Sequence, residues 1–205
     1  VSEASAPRTV VFDLGGVLID WNPRHLYRKM FDDEAEMERF LREICSNAWN
    51  LQMDRGMPFE EGVATLSQKH PDMAPYIEAF WIRWEEMIEG PIDGTVEILR
   101  RLQARGVPLY ALSNWSAQTW PFARDRFTFL ELFKGLVISG FEGTMKPEEK
   151  IFRILLERHD IDPAAAVFVD DRVENVAVAE RLGIRGVHFT GPTELSANLS
   201  RMGLL

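Results

Sequence analysis

Four short segments carry the residues best suited to chemistry. Val10-Val11-Phe12 runs into Asp13-Leu14 and then paired glycines, Gly15-Gly16. A carboxylate closing an apolar run, followed by backbone that turns freely, can stand at the surface of a sheet and meet a ligand at close range. Pro108 to Leu112 ends at Ser113-Asn114, where a hydroxyl, an amide and neighbouring N–H groups can hold the oxygens of an anion. Lys146 lies beside Pro147 at a predicted helix start. Its ammonium can neutralise charge developing on a phosphoryl group or on a carboxylate nucleophile. Ala166 to Val169 ends at Asp170-Asp171. Two adjacent carboxylates near a third repel one another unless a cation compensates, and hard oxygen donors suit Mg²⁺. Taken singly, each segment has a plainer reading: Asp13 in a turn, Asp170 or Asp171 as a helix N-cap, Ser113-Asn114 as turn chemistry, Lys146 as a solvated surface lysine.

The elements that must position these residues are legible as apolar runs. Thr9–Phe12, Pro108–Leu112, Gly135–Ser139, Ala166–Val169 and Gly186–Phe189 read as strands buried on both faces. Helical periodicity fills Gly94–Ala104, Pro147–His159 and Glu174–Leu182. Strands alternating with helices predict an α/β fold, a doubly wound parallel sheet, whose ligand binds outside the carboxyl ends of the strands. From Asp20 to about Gly90 no strand is predicted; this stretch is helical in pattern and rich in aromatics and methionine. The expected organisation is therefore a core of residues 1–19 and 91–205, with a helical insert over 20–90. The first seven residues read as a short disordered leader.

Composition narrows the function classes. The chain has 205 residues, with 23 basic against 32 acidic side chains and a net charge of −9. A protein that tracks nucleic-acid phosphates normally carries the opposite sign. A single cysteine, Cys45, precludes a disulfide framework within one chain and fits a reducing compartment. No apolar run approaches the roughly 20 residues of a membrane helix, and the start lacks the basic and apolar regions of a secretory signal. The expectation is a cytoplasmic enzyme, monomer or homodimer, acting on a small molecule, with no nucleic-acid or membrane partner.

The segments together resemble the four motifs of the haloacid dehalogenase-like hydrolase superfamily. Phe12-Asp13-Leu14-Gly15-Gly16-Val17-Leu18 resembles the first, Leu112-Ser113-Asn114 the second, Lys146-Pro147 the third, and Val169-Asp170-Asp171-Arg172-Val173-Glu174-Asn175 the fourth. The helical insert falls where that superfamily places a cap over a Rossmann-like core. Within the superfamily the likeness is nearest to small bacterial sugar-phosphate phosphatases of the α-glucose-1-phosphatase type. The resemblance implies a phosphomonoesterase in which Asp13 attacks phosphorus and forms an aspartyl-phosphate. It implies Mg²⁺ held by Asp13, the Gly15 carbonyl and Asp171, with Asp170 in support. Ser113 and Asn114 would bind phosphoryl oxygens, Lys146 would neutralise charge, and Asn175 would orient the carboxylates. The chain departs from the pattern at Gly15, where phosphatases of this superfamily usually carry the aspartate that protonates the leaving group. Its loss predicts a preference for esters whose leaving groups depart easily.

Two other readings compete. A 2-haloacid dehalogenase would use Asp13 to displace halide without metal, but a metal-free site gains little from Asp170-Asp171 beside an anionic substrate. A binding or regulatory module with weak turnover rests on Gly15 alone. Among the remaining residues, Trp21 and Trp115 are candidates to line the substrate pocket, while Trp49, Trp81, Trp84, Met53 and Met57 read as packing. Arg24 and Arg55 could reach an anionic substrate from the insert. The histidines, His25, His70, His159 and His188, show no metal-ligand spacing, and His188 reads as a buried structural group.

Overall fold

The computed structural model describes residues 8–205, so the predicted leader lies outside the described residues. Five strands, β1 (Thr9–Phe12), β4 (Leu109–Ser113), β5 (Gly135–Ile138), β6 (Ala166–Asp170) and β7 (Arg185–His188), form one parallel sheet in the order β5-β4-β1-β6-β7. Each starts or ends within one residue of its predicted run. The chain builds one half of the sheet outward from β1, then crosses back to β6 on its other side. That reversal of winding opens a crevice beside the carboxyl end of β1.

Side chains alternate between two faces along β1, as strand geometry requires. Val10 and Phe12 enter one buried cluster and Val11 the other. Helices α9 (Glu149–Arg158) and α10 (Val173–Arg181) cover the Val11 face with Phe152, Leu155, Val178 and Ala179. Helices α6 (Asp93–Ala104) and α11 (Pro192–Arg201) cover the opposite face with Val96, Leu99, Leu195 and Leu199. The short helices α7 (Trp120–Arg126) and α8 (Ser139–Glu142) follow β4 and β5.

Between β1 and α6 the chain forms α1 (Arg24–Tyr27), α2 (Glu34–Glu43), α3 (Asn47–Asp54), α4 (Phe59–Lys69) and α5 (Ala74–Ile82). Asp33 caps α2 by accepting from the Glu36 N–H, and Ser46 caps α3 by accepting from the Trp49 N–H. The helices close on an aromatic centre of Tyr27, Phe31, Phe40, Tyr76 and Phe80. The Tyr27 hydroxyl donates to the Tyr76 carbonyl at 2.9 Å.

The expectation of no strand between Asp20 and Gly90 is corrected. β2 (Ile19–Trp21) and β3 (Ile88–Pro91) pair antiparallel at the two ends of this stretch. Runs this short, one of them holding a glycine and a proline, carry too little alternation to register as strands in a sequence. They tie the entry and the exit of the helical stretch together.

Candidate functional site

Asp13 follows β1, the central strand, with Ser113 at the end of β4 on one side and Asp170 at the end of β6 on the other. Both oxygens of its carboxylate are fixed. Oδ1 accepts from the Leu14 N–H at 2.7 Å and from the Ser113 hydroxyl at 2.8 Å. Oδ2 meets the Lys146 ammonium at 2.8 Å. Burial pushes the Asp13 carboxyl up to about 7, against the pull of Lys146, and Asp170 adds to the rise.

Lys146 also meets Asp170 Oδ2 at 2.6 Å and is itself only 2% exposed. It does not open a helix and is not solvated, as the plainer sequence reading had it; it lies in the loop ahead of α9. Asn114 pins that loop, accepting from the Lys146 N–H and donating to the Lys146 carbonyl, both at 2.9 Å. One N–H of the Asn114 amide is thus engaged with backbone, and Asn114 still lines the cavity. Burial disfavours the Lys146 ammonium, but the two carboxylates more than offset it and hold its pKa above the ordinary lysine value. Asp170 takes further bonds from the Arg172 N–H and from Asn175 Nδ2.

Asp13, Asp170 and Asp171 present oxygens within 4.8 Å of one another. Against these three carboxylates stands the one ammonium of Lys146, so the cluster carries surplus negative charge. Among the described residues no other residue donates to the Asp171 carboxylate, and burial followed by repulsion from Asp170 raises its pKa. Gly16, at φ +76°, lies under it: a Cβ there would come within 2.8 Å of Asp171 Oδ2. The Leu14 carbonyl accepts from three backbone N–H groups, whereas the Gly15 carbonyl accepts from none among the described residues. The open Asp171 carboxylate and Gly15 carbonyl, beside the negative charge of Asp13 and Asp170, fit a divalent cation such as Mg²⁺.

Asp13, Gly16, Lys146 and Asp171 floor a cavity of about 290 Å³, with Asp170 buried beneath it. Gly15, Ser113 and Asn114 line it, as do Trp21 and Trp115. Trp84, read from sequence as packing, lines it too, its ring 5.6 Å from that of Trp115. The helical stretch contributes Asn47, Asn50, Leu51 and Asp54, all on α3. Sequence reasoning missed these. The Asn50–Asp54 spacing of four residues marks one helix face, but nothing local says that this face meets the sheet. Asn50 Nδ2 donates to Asp54 Oδ2 at 2.9 Å. Burial pushes the Asp54 carboxyl up to about 7; the Ser116 N–H pulls it down and Asp13 pushes it further up. Three buried polar atoms of cavity-lining residues have no partner among the described residues: Trp21 Nε1, Trp115 Nε1 and Asn50 Oδ1.

Other expectations are corrected. Arg24 is held by Glu38, with Nε 2.5 Å from Oε1, and Arg55 is paired with Glu148, so neither reaches the cavity as a free cation. His188 is exposed rather than buried, its Nε2 3.0 Å from the Asp171 carbonyl. His25 Nε2 lies 3.1 Å from Asp20 Oδ1 and 3.6 Å from Glu89 Oε2, contacts between α1, β2 and β3 that linear spacing does not reveal.

The sesquiterpene phosphatase astK of Aspergillus oryzae is 27% identical over 199 residues, covering 89% of this chain and 90% of that protein. The phosphorylated carbohydrates phosphatase of Thermotoga maritima is 25% identical over 192 residues, covering 87% and 83%. In fold, the chain is similar to the HAD family enzyme bt-2542 of Bacteroides thetaiotaomicron, with a TM-score of 0.72 and 23% identity over 95% of this chain and 99% of that one. That enzyme has also been solved in complex with magnesium and inorganic phosphate. Residues 7–183 match the family described as haloacid dehalogenase-like hydrolase. With a match across most of its length, and an aspartate, a serine, a lysine and an aspartate pair converging at the carboxyl ends of a parallel sheet, the chain belongs to the haloacid dehalogenase-like hydrolases.

Proposed function

We propose that the protein is a Mg²⁺-dependent phosphomonoesterase acting on a small phosphorylated metabolite through an aspartyl-phosphate at Asp13. One observation carries the reading. A carboxylate oriented by three donors stands on a cavity floor beside a second carboxylate, Asp171, to which no other described residue donates.

Mg²⁺ would be held by Asp13, the Gly15 carbonyl and Asp171, with Asp170 in support, and when bound it supplies the positive charge that the carboxylates and a phosphoryl group lack. Asp13 attacks phosphorus, and its contacts with Leu14 N–H and Ser113 limit it to one approach. Lys146 pulls Asp13 toward its ionised form against the effect of burial and offsets charge on the transferring group. Asn114 positions Lys146 from behind. The segment 20–90 acts as a cap that supplies the leaving-group side of the cavity and excludes water.

The polar side chains of Asn47 and Asn50 in the helical wall favour a leaving group that carries hydroxyls, such as a sugar. Relatives named as phosphatases support the phosphoryl chemistry, and one named for phosphorylated carbohydrates supports the sugar. Hydrolysis of an aryl phosphate with Mg²⁺ and with excess chelator tests the proposal. Activity should require the metal; full activity in chelator contradicts it, and metal-free release of halide from a 2-haloacid would replace it.

A further inference from the structure

We propose that Asp54 is the acid–base group of this site, protonating the leaving oxygen in place of the carboxylate that Gly15 cannot supply. The inference rests on the phosphatase reading above. Asp54 is the last residue of α3 and lines the same cavity as Asp13, Gly15 and Lys146. It therefore comes from the helical wall, on the side of the cavity where a leaving group would lie, while Asp13 comes from the floor.

The residue is held there from several directions. Its carbonyl accepts from the Ser139 hydroxyl at 2.5 Å, and that same hydroxyl accepts from the Trp115 N–H at 2.9 Å. Its carboxylate receives Asn50 Nδ2 and the Ser116 N–H. The next residue, Arg55, pairs with Glu148, which also takes the Thr144 hydroxyl at 2.7 Å. These contacts tie the end of α3 both to the turn after β4 and to the loop that presents Lys146.

The charges around Asp54 leave it free to carry a proton. Asp13, Lys146, Asp171 and Arg172 share its cavity. On the helices packed against α3, Glu60 is bonded to Gln118 and Glu142 to Arg158, while Glu61 and Lys69 are exposed. No cation pairs with the Asp54 carboxylate among the described residues, and burial raises its pKa to about 7, where a general acid works near neutral pH.

The proton account balances. As Asp13 bonds to phosphorus and the bond from phosphorus to the ester oxygen breaks, the Asp54 carboxyl gives its proton to that oxygen and the alcohol departs. The Asp54 carboxylate then takes a proton from the water that attacks phosphorus. The bond from phosphorus to Asp13 breaks, phosphate leaves, and both carboxyl groups return to their starting states.

The test is kcat/KM for a series of phosphate monoesters, from activated aryl to primary alkyl, at saturating Mg²⁺ for the native protein and Asp54→Asn. Because kcat/KM reports steps up to the first irreversible one, it isolates proton donation to the leaving group. Asp54→Asn should lose ~10²–10⁴-fold on alkyl esters and clearly less on the activated aryl ester. For the native protein the ratio of alkyl to aryl kcat/KM should fall as pH rises through about 7. Titration of Asp13 is common to both esters and cancels in that ratio. Should the variant not fold, the native pH ratio decides alone. Equal losses on both ester classes, or a ratio flat with pH, would show that Asp54 only holds α3 in place. An Asp13→Asn control separates the two claims: near-native turnover there overturns the phosphatase reading itself, and the acid assignment with it.

Discussion

Lys146 decides whether Asp13 and Asp170 can share a site. Its ammonium stands 2.8 Å from one carboxylate and 2.6 Å from the other, with almost no exposure to water. Removing one member of a buried charge group leaves the rest uncompensated. Lys146→Met should therefore destabilise the metal-free fold by about 3–5 kcal/mol and abolish turnover, and chemical denaturation with and without Mg²⁺ reads this. A variant as stable as the native protein would mean that the carboxylates already share protons without the lysine. At this scale the sequence was informative about type and silent about commitment. Asp13, Ser113 and Asp171 could be picked out because each ends a strand or adjoins one, and Lys146 because it stands beside Pro147 ahead of a helical run. That the Asn114 side chain bonds the Lys146 backbone, or that Arg55 is paired with Glu148, depends on partners 32 and 93 residues away.

The turn after β1 is the element on which the floor depends. Gly15 and Gly16 differ in what they require. Gly15 has no left-handed backbone, and a Cβ there would meet only the Trp115 ring at 3.9 Å, so its lack of a side chain is not forced by space. Gly16 is forced twice, by φ +76° and by the Asp171 carboxylate lying 2.8 Å from where a Cβ would stand. Gly16→Ala should push Asp171 away and raise the Mg²⁺ concentration for half-maximal activity by roughly 10–100-fold, the usual effect of disturbing a ligand's support. Titrating activity against Mg²⁺ checks this; an unchanged midpoint would remove Asp171 from the proposed metal set. The five sheet strands could be recognised because burial on both faces makes each a continuous apolar run. The β2–β3 ribbon could not: three and four residues, joined across the whole helical stretch, leave no local signal.

Across the whole molecule, one cavity is made by two parts of the chain distant in sequence. The sheet provides Asp13, Ser113 and Asp171 at strand ends, where α/β topology already directs attention. The helical stretch provides Asn50 and Asp54, and its docking is fixed by Ser139 beneath Asp54, Arg55 against Glu148, and the Gln118 side chain accepting from the Phe59 N–H at 2.7 Å. Fold class could be read from strand and helix alternation. The second wall of the cavity could not, because helical periodicity reports which face is buried and not what covers it. Specificity is accordingly assigned to the part of the chain whose placement is least visible in its sequence.

The central claim is that Asp13 makes a covalent bond to phosphorus. The most direct test is hydrolysis of an activated aryl phosphate in Mg²⁺ by the native protein and by Asp13→Asn, with folding checked and the variant's mass measured to exclude deamidation. The folded variant should retain only background turnover. A folded, undeamidated Asp13→Asn protein with near-native turnover would contradict that claim.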